Sequence, residues 1–366
     1  TQDMTLGPES LSEARAWVLV RIRECAVGHQ VDLLSAEIAV GEILQNIIRY
    51  AYEGAGPITL RVSDLDEAVG ITVLDEASPS DPETWITDKP SVDGGLGLSV
   101  VKNAVDAYSF RPLLEGNRAS IYLFPGMSEF GNESLSWAGE LLEARAARES
   151  LDDWVGIVGA SSVVPVRVID ALKICTQAIE RFELSMDSVP SYHNSAHFLD
   201  VLISAMHWIE SHPDLSVTDR VALIAAALMH DFMHPGDVTQ IEGQTVEQAS
   251  KDEFDKILGE SQSLTADEME TIGSLILDTE PSRKNDPGLP VLSKVFNALD
   301  IGASFIPWYG IAQTNALLAE QGTSADSVSV YRAFTTDNAG MVRSQCAFVA
   351  PWLTISLGLK TCVRDV

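Results

Sequence analysis

Six of the seven histidines in this 366-residue chain fall between positions 193 and 234, and their spacing suits metal ligation. In SYHNSAHFLDV, His193 and His197 are four residues apart. On a helix, or at its first turn, that interval places two imidazoles over one face. In ALIAAALMHDFMHPG, His230 and Asp231 are adjacent, and His234 follows just before Pro235 and Gly236 end the apolar helical run. An imidazole and a carboxylate at the buried end of a core helix are costly if left unpaired. A divalent cation satisfies both, since neutral imidazole and carboxylate suit Zn, Mn, Fe or Mg. Asp300, a lone carboxylate in the apolar run VLSKVFNALDIGASF, is a further ligand candidate. His197, His230, Asp231 and Asp300 would form one mononuclear site, and the second oxygen of Asp231 could bridge to a second, more hydrated metal. Taken singly, each of these residues also fits a hydrogen-bonded core position. His207 and His212 are read that way, or as surface groups.

A second, sparser set of polar residues lies in the first third of the chain. EIAVGEILQNIIRYAYEG places Glu42 and Asn46 four apart on one helical face, where a carboxylate and an amide can position a water and a magnesium ion against nucleotide phosphates. Asp75 ends an apolar strand in VGITVLDEASPSDP. GGLGLSVV follows, with Gly95 and Gly97 in a flexible turn whose amides could cradle phosphate at a helix N-terminus. Taken alone, an E-x-x-x-N helix is usually a solvated face, and GGLGL is often merely a turn.

The elements that must hold these groups fall into two regions. Helical spacing of apolar residues predicts helices over 11–25 and 35–52, and alternation with turn residues predicts strands over 58–64, 69–75 and 119–124. The glycine turn opens onto a further helix through GGLGLSVVKNAVDAYSF. This is an α+β layer with helices on one face of an antiparallel or mixed sheet. Residues 126–164 read as a linker with a connecting helix, and from 165 onward only helical periodicity is visible: 166–184, 195–211, 216–232, 244–259, 265–278, 290–306 and 340–358.

Composition narrows the partners. A hydrophobic share of 46% with 21% charged residues describes a globular chain, and a net charge of −29 disfavours nucleic-acid backbones and anionic membranes. The four cysteines are scattered without a CxxC pair, and no secretory signal or membrane span is visible, so a cytoplasmic location is expected.

YHNSAHFLDV, HDFMHPG, the Asp300 helix and RSQCAF together resemble the HD superfamily, and within it the class I cyclic-nucleotide phosphodiesterases. The resemblance covers about 165–366. It implies that His197, His230, Asp231 and Asp300 hold the tightly bound metal of a pair, with Tyr192 in the substrate cleft. It makes His193 the general acid that protonates the leaving O3′, and places His234 in the same cleft. It implies a supporting carboxylate at Glu247. Gln345 falls where the family hydrogen-bonds the purine, and Phe348 where an aromatic ring stacks on the base; helical spacing would put both on one face. The activity implied is hydrolysis of cyclic AMP or cyclic GMP to the 5′-monophosphate. HD sites also act on other phosphoesters.

Residues 8–125 resemble the GHKL ATP-binding fold, especially the anti-sigma-factor serine kinases. The likeness implies Glu42 as base, Asn46 as magnesium ligand, Asp75 as acceptor for the adenine amino group, and Gly95 and Gly97 in the phosphate lid. Ala77 stands where the first glycine of the DxGxG box belongs, and Pro79 where a later one falls. The expected architecture is multidomain: an α+β GHKL-like sandwich over 1–125, the linker, and an all-α HD/phosphodiesterase-like domain over 165–366. ATP with Mg and a regulatory protein are the ligands implied for the first domain, and a homodimer is left open. The alternative function is an anti-sigma-type kinase or partner-binding protein whose metal-holding domain is a catalytically silent scaffold.

Overall fold

Alternating apolar residues in ITLRVSD and VGITVLD build the centre of an N-terminal sheet, seen in a computed structural model of the chain. The structure describes all residues except 26, 29, 66, 67, 80–96, 114, 125–131, 237–239, 242, 260–262, 285, 351 and 354–366. The chain divides into two units, Thr1–Glu149 and Ser150–Val366. The segment 126–164, expected as a linker with a helix, contributes one helix to each.

In the first unit, strands β1 (Gln2–Leu6), β2 (Gly56–Asp64), β3 (Val69–Asp75), β4 (Ala107–Pro112) and β5 (Asn117–Leu123) lie in the order β1-β2-β3-β5-β4. Every neighbouring pair is antiparallel. Strand residues alternate between faces. One face carries Ile58, Leu60, Ile71, Val73 and Ile121, buried beneath α1 (Leu11–Glu24) and α2 (Leu33–Asn46). Ala14, Val18, Ile22, Ala36, Val40 and Leu44 are the helices' buried contribution. The helix α3 (Gly97–Ala104) packs on α2.

The opposite face is polar: Arg61, Thr72, Ser109, Arg111, Arg118 and Ser120. It is covered by α4 (Asn132–Ala147), which packs mainly on β4. Expecting helices on one face only was therefore incomplete. Arg111 meets Glu140 through two contacts of 2.8 Å, and Glu143 accepts from the hydroxyls of Tyr122 at 2.6 Å and Thr72 at 2.7 Å and pairs with Arg61. Gly139 makes the close approach possible, because a Cβ there would fall 2.2 Å from the Tyr108 carbonyl oxygen.

Three expectations in this unit change. β1 was not anticipated. DAYSF, read as the tail of a helix, contains the start of β4: α3 stops at Ala104, and the Asp106 carboxylate instead accepts the Phe124 N–H at 2.7 Å. The helix expected over 35–52 turns π-helical at Ile47–Ala51, directly after Asn46.

The second unit consists of helices α5 (Leu151–Ser161), α6 (Val166–Ser185), α7 (Ser195–Ser211), α8 (Val217–Met229), α9 (Val246–Leu258), α10 (Ala266–Asp278), α11 (Val291–Asp300), α12 (Pro307–Glu320) and α13 (Ser327–Gln345). Side-chain caps fix several starts: Asn194 for α7, Ser216 for α8, Thr245 for α9 and Asp326 for α13. Ser150–Asp153 and Thr265–Glu268 form reciprocal capping boxes on α5 and α10. α8 is buried on all sides from Val221 to Met229, so it is the unit's central helix, packed by α6, α7 and α10.

A two-residue hairpin, Gln240–Ile241 with Gln244–Thr245, interrupts the all-helical pattern before α9. α12 was not expected as a separate element. α13 begins at Ser327 and ends at Gln345, whereas the periodicity suggested 340–358; part of that range lies outside the described residues.

Candidate metal centre

The capped start of α7 puts His197 in its first turn. At the other end of the cluster, His230 is the C-cap that follows Met229 at the end of α8, its N–H bonded to Ala226 O at 2.9 Å. Asp231 follows in the next turn, and Asp300 closes α11. Three helix ends thus converge.

His197 Nε2 and His230 Nε2 are 3.2 Å apart. Asp300 Oδ1 lies 3.2 Å from the first and 3.4 Å from the second, and Asp231 Oδ2 lies 3.8 and 3.5 Å from them. All four ligand atoms fall within 4.8 Å of one another. Donors bound at roughly 2.0–2.2 Å in a tetrahedral shell stand about 3.3–3.6 Å apart. The observed spacings are close to that pattern, and the set of two imidazoles and two carboxylates fits a divalent cation.

Electrostatics point the same way. Burial drives the Asp300 carboxyl up, but the Lys284 ammonium at 3.5 Å and the hydrogen bonds from His197 and His230 hold it well below the usual carboxylate range. Burial likewise opposes ionisation of Asp231, and the neighbouring His230 and His193 reverse that. His230 is fully buried, which favours its neutral form, yet Asp231 and Asp300 bring it to about 9. Two largely enclosed carboxylates, 14% and 11% exposed, here demand positive charge.

Beside this cluster, the His193 ring is held on two sides. Its Nδ1 pairs with Glu320 Oε1, and Glu320 Oε2 also accepts the backbone N–H groups of Tyr192 at 2.8 Å and His193 at 3.2 Å. His193 Nε2 is left 3.8 Å from Asp231 Oδ2. Burial lowers the basicity of His193, but the Glu320 hydrogen bond and the charges of Asp231, Glu320 and Asp300 leave it above an ordinary imidazole. Glu320 itself, pushed up by burial, is pulled below its usual value by His193.

His234 stacks on His193 with ring centroids 3.6 Å apart and planes 12° from parallel. Burial and then the His193 charge bring it down to about 4, so it is neutral, its Nδ1 accepting the Gly236 N–H at 3.1 Å. Gly236 has φ +110°, and a Cβ there would come within 3.1 Å of Glu320 Cγ. Tyr192 lies over His197 at 4.7 Å. Glu247, buried at the start of α9, is raised by burial and by the charges of Asp231 and Glu280.

The structure thus brings together His193, His197, His230, Asp231, His234 and Asp300, with Tyr192 and Glu247 close by. It does not bring Gln345 and Phe348 to them. Helix α13 ends at Gln345 and Cys346 adopts φ −132°, ψ 86°, so the two residues are not on one helical face. Phe348 is 2% exposed and sits edge-on against His207 at 4.8 Å. The Gln345 carbonyl accepts from Trp208 at 3.3 Å. His207 and Trp208 lie ten and eleven residues beyond His197 on α7, about 15 Å along the helix. Neither Glu320 nor Lys284 was anticipated. Each lies far along the chain from the histidine cluster, in a segment with no recognisable motif.

In the first unit, Glu42 is half-buried and Asn46 follows one turn later at the end of α2. Asp75 is buried, and its Oδ1 accepts from Asn117 Nδ2 at 2.9 Å and Ala77 N–H at 3.0 Å; burial raises its pKa despite those bonds. Gly97 is the first residue of α3, and Gly95 lies outside the described residues.

Residues 4–122 match the model of the histidine kinase-like ATPase domain family. The N-terminal sheet domain is accordingly of the GHKL-like ATPase kind. A 60-residue stretch is 40% identical to 3′,5′-cyclic-AMP phosphodiesterase 4 of Dictyostelium discoideum; it covers 16% of this chain and 6% of that protein. The chain therefore spans only a small part of that relative's length. No helix among the described residues is long and apolar enough to cross a membrane.

Proposed function

We propose that the C-terminal unit is a metal-dependent phosphodiesterase that opens a 3′,5′-cyclic nucleotide to its 5′-monophosphate, regulated by the GHKL-like N-terminal unit. One observation carries this reading: four ligand atoms converge directly beside a histidine whose Nδ1 is held by Glu320, a contact that raises its basicity. A divalent cation held by His197, His230, Asp231 and Asp300 would supply Lewis acidity toward the phosphoryl oxygens and acidify water at neutral pH. The protein's own part is the leaving group. O3′ departs as an alkoxide, and His193, with its Nδ1–H held by Glu320, presents Nε2 to donate the proton. His234, neutral and stacked, keeps the ring in place without competing for charge. Tyr192 walls the cleft on the His197 side.

The test is turnover of cyclic AMP and cyclic GMP by the purified chain with Mn, Zn or Mg, with and without ATP. Activity abolished by Asp231→Ala and strongly reduced by His193→Ala supports the reading. Bound metal without turnover of any phosphoester would reject it.

The match to the histidine kinase-like ATPase family favours a second reading, since it covers residues 4–122 of the N-terminal unit. In that reading Glu42, Asn46, Asp75, Gly95 and Gly97 hold ATP with Mg, and the unit sequesters or phosphorylates a regulatory protein while the metal domain is a scaffold. Calorimetric titration with MgATP, repeated on Asp75→Asn, tests it. Heat of binding lost in the variant supports a nucleotide site, and no binding by the native chain removes it.

A further inference from the structure

Glu320 meets His193 from the C-terminal end of α12, and the same helix is tied to α7 further back. Tyr309, Gln313 and Glu320 lie at i, i+4 and i+11 along α12, intervals that return to one helical face. Glu320, at the C-terminal end, serves His193. Two turns earlier, Gln313 Nε2 donates to Asp200 Oδ2 at 3.0 Å, and the Tyr309 hydroxyl donates to Asp200 Oδ1 at 2.6 Å. Asp200 stands on α7 one turn after His197 and is 2% exposed. Ser304 Oγ donates to Gln313 Oε1 at 2.6 Å. Otherwise α12 packs on the 3-10 turn Gly302–Phe305 and on α13.

A buried carboxylate satisfied by two donors from one helix is a strong, directional link, because charge-assisted bonds are about twice as strong as neutral ones and leaving the carboxylate unmet is costly. We propose that Asp200, Tyr309 and Gln313 form a positioning anchor that sets α12 so that Glu320 orients His193 for proton donation. The anchor touches neither substrate nor metal. This inference rests on the phosphodiesterase reading, and assigns that site three further residues whose effect passes through Glu320.

The test separates the general acid from everything else by leaving group. A cyclic nucleotide loses an alkoxide and needs the proton, whereas an aryl phosphodiester such as bis(p-nitrophenyl) phosphate loses a stable phenolate and does not. In the full chain loaded with Mn, Gln313→Met is expected to lower kcat for the cyclic nucleotide about tenfold with KM little changed, and to leave aryl turnover within about twofold. In a Glu320→Gln background the same substitution should have no further effect, since coupled residues are not additive. Independent of turnover, the Nδ1–H resonance of His193 in histidine-labelled protein should move upfield or broaden in Gln313→Met.

Equal losses on both substrates, full additivity with Glu320→Gln, or an unmoved Nδ1–H resonance would overturn the anchor. Tyr309→Phe, which removes one bond and keeps the ring, provides the check should Gln313→Met fold poorly, and the same three outcomes apply to it. A native chain that turns over neither substrate removes the phosphodiesterase reading itself, and the anchor's role with it.

Discussion

His193 and Glu320, 127 residues apart in sequence, form a part-buried pair in which the carboxylate binds the ring through Nδ1 and the backbone N–H groups of Tyr192 and His193 through its other oxygen. The contact fixes ring orientation and charge together. Glu320→Gln removes the charge and keeps most of the shape. Burial, the largest influence on His193 and the one that lowers its pKa, then meets less opposition. The protonated ring is therefore lost at lower pH than in the native chain. The expected result is a kcat for cyclic-nucleotide hydrolysis reduced roughly 10- to 100-fold at neutral pH, with the alkaline limb of the pH–rate profile shifted to lower pH. A profile that only scales down, without moving, would leave Glu320 a purely structural role.

Much of this site was legible in the sequence for a local reason. HxxxH and HDxxHPG compress five groups into two helix ends, and Asp300 is the one acid in an apolar run. Glu320 was invisible because its partner is set by the path of α12, and a glutamate followed by Gln-Gly resembles any exposed helix end. The same limit applies to Gln345 and Phe348. Their spacing fits a helix, but the chain leaves helical geometry at Cys346 and the aromatic ring is consumed by packing on His207. In the sheet domain, the central strands announced themselves by alternation. β4 did not, because AYSF continues the helical pattern of the residues before it, and pairing with β5 overrides that tendency. The polar sheet face under α4 was equally hidden: Arg111 and Arg118 look like surface residues until Glu140 and Glu149 are brought over them.

Metal binding should be visible as stability. The ligands converge only in the folded chain, so a cation that binds the native state raises unfolding free energy by about 2.7 kcal/mol at a hundredfold excess over its Kd. After exhaustive chelation, Tm should fall, and titration with Mn or Zn should restore it. In His230→Ala the metal-dependent rise should be largely lost. A chelated protein whose Tm does not respond to any divalent cation would mean that the four groups are paired with one another and hold no ion.

The Arg111–Glu140 pair tests how the polar sheet face is stabilised. Both side chains are buried, at 5% and 3% exposure. Removing one partner leaves an unpaired buried charge, so Arg111→Ala should cost about 3–5 kcal/mol. Replacing both by apolar residues, Arg111→Met with Glu140→Leu, should come out near neutral. Gly139→Ala acts by sterics alone, its methyl falling on the Tyr108 carbonyl, and should cost about 1–3 kcal/mol. Urea denaturation of the full chain, followed through the N-terminal unit, reads all three. A double variant as damaged as the single would show that the ion pair is a net source of stability.

Asp106 gives the N-terminal unit a pH dependence opposite to that of most acids. Burial lifts its pKa from 3.8 to about 6, and the Phe124 N–H, which favours the ionised form, only partly offsets this. A carboxyl whose pKa is higher folded than unfolded binds its proton more tightly in the native state. Its contribution is thus most favourable below pH 3.8 and is lost as pH rises through about 6. Asp106→Asn keeps an oxygen that can accept the Phe124 N–H and cannot ionise. The variant should therefore gain stability relative to the native chain at pH 7.5, with the advantage shrinking toward pH 5. Thermal unfolding at the two pH values measures the difference directly, and an advantage that is the same at both would show that the Asp106 carboxyl is ionised throughout.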